Sequence, residues 1–228
     1  LELYAADFAE EGLRLASMSD EELADHELTR ATTLSVVDHW LGELLDAARR
    51  LPGRKLMTVF AWAGAIWEPV PRPTPLIAPF DPQQSQVPWI IAGDDILPGR
   101  TNSLVTTKDL FPTLGGWVGV RDNPGETTPT PVSGAAKTSP QPPIDLLPLI
   151  NGDIATVRPN VQRVDANRGA LWTANDLTLF ARSGDDWATQ RYLSPEDGWT
   201  VHDVATQTPD VTAERLGEFR QSLPSSMD

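Results

Sequence analysis

The sequence predicts an α/β fold: a partial sheet flanked by helices, then a small antiparallel C-terminal sheet with a closing helix. Three observations predict it. Leu34, Val37, Leu41, Leu44, Leu45 and Ala48 recur at helical spacing and give residues 31–50 one apolar face. Two short runs, the almost wholly apolar Leu56 to Ala61 and Trp89-Ile90-Ile91-Ala92, suit strands covered on both faces, as in a parallel sheet. Ala170-Leu171-Trp172 and Leu177-Thr178-Leu179-Phe180 flank the turn signal Asn175-Asp176, which is an antiparallel pattern.

In chain order, the first thirty residues read as one or two helices. Ser19 followed by Glu22 fits a capping box, in which the hydroxyl caps the first turn and the carboxylate reaches back. Pro52-Gly53 stops the helix over 31–50. After the two apolar runs, Ser103 to Thr106 reads as a third strand leading into a helix from about Lys108 to Val118, with Pro112 tolerated in its first turn. Helix, strand, strand, strand and helix in this order give the α/β layering of residues 1–120. Residues 121–143 are rich in Pro and Thr, cannot bury enough apolar surface to pack, and read as a long surface loop. The C-terminal subdomain, 144–228, opens with a helical turn at Ile144 to Ile150. Trp187 to Leu193 and Trp199 to Val204 supply further strands, and Val211, Leu216, Phe219 and Leu223 mark an amphipathic closing helix.

Composition narrows the function classes. A chain of 228 residues with 40% hydrophobic content holds a real core, and no apolar run is long enough for a transmembrane segment. A formal charge of −14 argues against nucleic-acid partners, which need clustered Lys and Arg. The absence of cysteine removes disulfides, thiolate zinc sites and Cys nucleophiles. Leu1 in place of Met raises the expectation that the chain was trimmed, processed or cut from something longer, which leaves localisation open.

Several segments, in order, resemble the sulfatase family of the alkaline-phosphatase-like superfamily. Ser35-Val36-Val37-Asp38 through Gly42-Glu43-Leu44-Leu45 looks like the family helix with a "VD…GxLL" signature. Leu56 to Gly64 is similar to the strand running into "SDHG" or "SDNG". Val87-Pro88-Trp89-Ile90-Ile91-Ala92-Gly93 with Ile96 and Pro98-Gly99 resembles "VPLIIxGPGIxPG". Leu104 to Leu114 looks like "LVSTVDLAPTLL", and Asp145 to Gly152 like "SLLPLLxG". The stretch from Trp172 through His202-Asp203-Val204 to Leu223 resembles the family's small C-terminal sheet and closing helix.

The resemblance implies sulfuric-ester hydrolysis: an activated nucleophile attacks the ester while a divalent metal such as calcium neutralises the sulfuryl oxygens. It also implies where that chemistry is missing. The family's nucleophile is the Cys or Ser, oxidised to formylglycine, of Cys/Ser-x-Pro-x-Arg. Here Pro52-Gly53-Arg54 and Pro98-Gly99-Arg100 keep only the latter part, with Arg50 and Ile96 in the nucleophile slots. Both triplets also lie beyond the helix that the family's motif should precede, and only thirty residues come before that helix to carry the first pair of metal-binding acids. The second pair should be the Asp and His or Asn of "SDHG". Aligned on Gly64, those positions hold Trp62 and Ala63, which offer no metal-ligating atom.

Other residues read as structural. Asp38-His39 are adjacent on a helix and face different ways. Asp94-Asp95 suit a solvated loop, Asp109 favours a helix start, and His202-Asp203 would point to opposite faces of a strand. His26 is isolated in an acidic helix. Trp62, Trp67 and Trp89 near the sheet's ligand-binding edge are candidate pocket or interface aromatics, against the plainer reading of packing. The expectation is therefore a sulfatase-like domain without catalytic residues, bound cofactor or metal. It would serve as a binding or scaffold protein with a possible protein partner. The alternatives are the C-terminal fragment of a longer or split sulfuric-ester hydrolase, whose missing N-terminal segment carries the active site, and an unrelated interaction module.

Overall fold

The structure, a computed structural model, describes residues 17–61, 64, 80, 82–120, 141–165, 167–184, 186–198 and 200–223. The α/β class holds, with helices accompanying one two-stranded and one four-stranded antiparallel sheet. The described residues fall into two compact units, one of 17–61, 64 and 82–96, the other of 80, 97–120 and 141–223.

In the first unit, helix α1 (Asp20–Arg50) runs 31 residues without a break, so the helix expected to begin at Ser19 and the separate one expected over 31–50 are a single helix. Its start is the expected capping box: the Ser19 amide donates to Glu22 Oε2 at 2.8 Å, and the Glu22 amide donates to Ser19 Oγ at 3.3 Å. Leu51 turns extended, and Gly53 takes φ +88°, a left-handed value that favours glycine, so the helix stops where Pro52-Gly53 says it should. The apolar face is present but uncovered. No residue of α1 is buried, and Leu34, Val37 and Leu44 keep 52%, 56% and 60% of their surface exposed.

Strands β1 (Leu56–Phe60) and β2 (Trp89–Gly93) form where the apolar runs place them, but they pair antiparallel, from Leu56↔Gly93 to Phe60↔Trp89. The expected parallel arrangement is overturned here. Nor are the strands covered on both faces, since β1 is half-buried throughout and Ile90 in β2 is 60% exposed; an apolar run fixes neither a strand's direction nor what packs on it. A single-turn helix, α2 (Pro82–Ser85), precedes β2. Gly93 ends β2 against the neighbouring backbone, where a Cβ would stand 2.3 Å from the Lys55 carbonyl oxygen.

The second unit contains the residues expected to form a third strand. Ser103–Thr106 pairs with no strand among the described residues. Its polar groups are taken up differently: Ser103 Oγ accepts the Val157 amide at 3.0 Å, and the Thr106 amide donates to Asp109 Oδ2. A 3₁₀ turn (Thr107–Asp109) leads into α3 (Leu110–Val118), with Pro112 in the first turn and Gly119 closing the helix at φ +79°. Residues 121–140 lie outside the described residues; beyond them Gln141 Nε2 donates to the Asn160 backbone and side-chain oxygens. Helix α4 (Leu147–Ile150) is the expected short turn.

The C-terminal sheet is a meander in chain order: β3 (Asn160–Asp165), β4 (Arg168–Thr173), β5 (Asp176–Ser183) and β6 (Asp186–Leu193). Asn175 lies in the β4–β5 turn as predicted, while Asp176 already begins β5. Two details differ. Strand β3 was not anticipated, since Gln162 and Arg163 break its apolar pattern. Residues 200–204 form no strand; the Asp197 carboxylate accepts the Val201 and His202 amides instead, and Thr200 takes φ +55°. Helix α5 (Pro209–Gln221) closes the unit.

Strand alternation divides the unit's apolar residues into two layers. Phe80, Ala170, Leu177, Leu179 and Tyr192 cluster with Trp172. Val164, Leu171 and Phe180 form the other layer and pack on Phe219 and Leu223. Phe180 and Phe219 stack at 4.2 Å between ring centroids, with the Trp187 ring edge-on to Phe219 at 5.3 Å. Gly169 makes this fit possible, because a Cβ there would lie 2.3 Å from the Phe219 ring.

Candidate functional site

Of the positions that the sequence resemblance sets against a sulfatase metal motif, Trp62 and Ala63 lie outside the described residues, as does Trp67. Gly64 is half-buried, in no regular element. Trp89 begins β2, where its ring meets Phe60 at 6.2 Å and its Nε1 donates to Thr58 Oγ1 at 2.8 Å. Both partners belong to the paired strand β1, so the side chain spans the two strands and its one donor is satisfied.

The remaining sequence candidates are dispersed. Asp38 and His39 are exposed on α1, with His39 edge-on to Trp40. Asp94 Oδ2 accepts the Lys55 amide at 2.7 Å and Asp95 pairs with Arg54 at 3.0 Å, so the two acids staple the exposed end of the β1–β2 pair. His202 is exposed, and Asp203 Oδ1 accepts the Arg191 and Ala205 amides. His26 is half-buried on α1, with no hydrogen-bond partner at Nε2. Among the described residues no three His, Asp or Glu side chains converge as a metal cage would require, and no helix is long and apolar enough to cross a membrane.

The second unit assembles two buried ionic clusters instead. Asp109 is fully buried, and its carboxylate receives four donors: the Thr106 amide at 2.7 Å, Thr106 Oγ1 at 3.2 Å, the Ile144 amide at 2.8 Å and Arg158 Nη2 at 2.6 Å. A carboxylate has about four lone-pair sites, so none remains for a metal or a substrate proton. The Arg158 side chain is only 5% exposed, which makes the pair charge-assisted and almost dry. Beside it, Thr113 Oγ1 donates to the Asp109 carbonyl and accepts the Leu146 amide at 3.0 Å. These bonds tie the start of α3 to the segment entering α4 and to the approach to β3. They also explain why residues 97–120 group with the C-terminal unit.

Asp176 is the second hub. Its Oδ2 accepts Arg191 Nε at 3.1 Å and Nη2 at 2.9 Å, while Oδ1 accepts Thr173 Oγ1 at 3.0 Å and Arg215 Nε at 3.3 Å. Arg191 Nη1 continues to Thr208 Oγ1, and Arg215 Nη1 to Glu218. Partial burial alone would lower the Arg215 pKa. The charges of Asp176, Glu218 and Glu214, with the Asp176 hydrogen bond, outweigh it and hold the pKa above its ordinary value. Arg215 therefore stays charged at any pH the fold meets. One carboxylate here joins β5, β6 and α5; it is a clamp rather than an acid–base centre.

Sequence reasoning took Asp109 as a local helix-start residue and missed both clusters. The local half is right, since Thr106 and Asp109 do bond across three residues. The Arg partners stand 49, 15 and 39 residues away from their acids, and no spacing rule reaches that far. No family model matches this chain, and no curated protein matches it.

Proposed function

We propose that this chain is a sulfatase-like domain that lacks the nucleophile and metal ligands and acts as a non-catalytic binding or scaffold domain. The observation that carries the reading is the sequence leaving β1. The strand runs toward Trp62-Ala63-Gly64, where the family resemblance calls for an acid and an imidazole or amide. Neither Trp nor Ala supplies an oxygen or imidazole nitrogen to a hard divalent ion. The saturation of Asp109 and Asp176 supports the same reading, because these two carboxylates, fully buried among the described residues, are committed to holding the fold. A calorimetric calcium titration and an aryl-sulfate assay on the 228-residue chain should both be blank. Calcium-dependent turnover would overturn the proposal.

A second reading has an observation of its own. Helix α1 is 31 residues long with none buried, and β1 has no strand partner but β2 among the described residues. Long amphipathic helices draw most of their stability from a covered face. This favours a C-terminal portion of a longer or split sulfuric-ester hydrolase that packs against a separate catalytic portion. A Cys/Ser-x-Pro-x-Arg motif following an Asp-Asp pair, encoded upstream of Leu1, would decide for it; its absence there would decide against.

A further inference from the structure

We draw no further inference here: the strongest candidate, the exposed apolar stripe of Leu34, Val37, Leu44 and Leu51 along and just beyond helix α1, carries nothing because nothing in the structure shows what covers it.

Discussion

Replacing Asp109 by Ala is the sharpest test of how the second unit is held. The substitution removes all four acceptor contacts and strands the Arg158 guanidinium, whose side chain is 5% exposed, without its counter-charge. Breaking a buried pair from one side costs about 3–5 kcal/mol, because the remaining charge stays desolvated. The half-buried Thr106 and Ile144 amides also lose their acceptor, which costs less than the roughly 1–3 kcal/mol of a fully buried group left unsatisfied. These terms share atoms and do not add, so the expected loss is about 4 kcal/mol, near the middle of the pair-breaking range. For a chain of this size that corresponds to a fall of roughly 10 °C in melting temperature. Urea unfolding followed by tryptophan fluorescence reads the change, with Trp187 on Phe219 as a reporter inside the same unit. Arg158→Met should cost a similar amount, and the double variant clearly less than the sum of the two, since the pair is removed together. An Asp109→Ala loss below about 1 kcal/mol, the size of an exposed ion pair, would refute the buried-clamp reasoning. Strict additivity with Arg158→Met would refute it as well.

Three further outcomes follow from the same packing. Gly169→Ala should destabilise the sheet by about 1–3 kcal/mol through overpacking against the Phe219 ring, and Phe219→Leu in the same chain should recover part of it; a neutral Gly169→Ala in urea unfolding would contradict the close approach. Phe219→Ala should cost about 3–5 kcal/mol and shift the Trp187 emission, and an unchanged spectrum would show that the two rings do not touch. At the start of α1, the Ser19 amide and then its hydroxyl hold the Glu22 carboxyl below its ordinary value of 4.5. A lowered folded-state pKa stabilises above the ordinary value, and that contribution is lost as pH falls through the folded one. A carboxyl NMR titration should therefore place the Glu22 midpoint below 4.5, with the first turn of α1 fraying under acid. A midpoint at or above 4.5 would dismiss the capping box.

What could be read from the sequence is local chemistry. Ser19 and Glu22, Pro52-Gly53, Asn175-Asp176 and the spacing of Val211, Leu216 and Phe219 each act within one or two turns of chain. The structure places a helix start, a helix stop, a strand turn and a closing helix at those points. Of the candidate site, sequence supplied residue identities alone: Trp62 and Ala63 lie outside the described residues, and neither side chain carries an oxygen or imidazole nitrogen for a metal.

Tertiary structure decided the rest. Strand direction in the β1–β2 pair, the unpaired Ser103–Thr106 and the polar strand β3 all depend on which distant segment comes alongside. The same holds for Asp109 and Asp176. By sequence each is an acid beside a helix start or a turn; folded, each becomes a buried clamp, because arginines 49, 15 and 39 residues away are delivered to them. Helical periodicity belongs to the chain itself, and so α1 could be foreseen. A buried pair such as Arg158–Asp109 forms only once the fold brings distant segments together and excludes water, and no local stretch of sequence reports that.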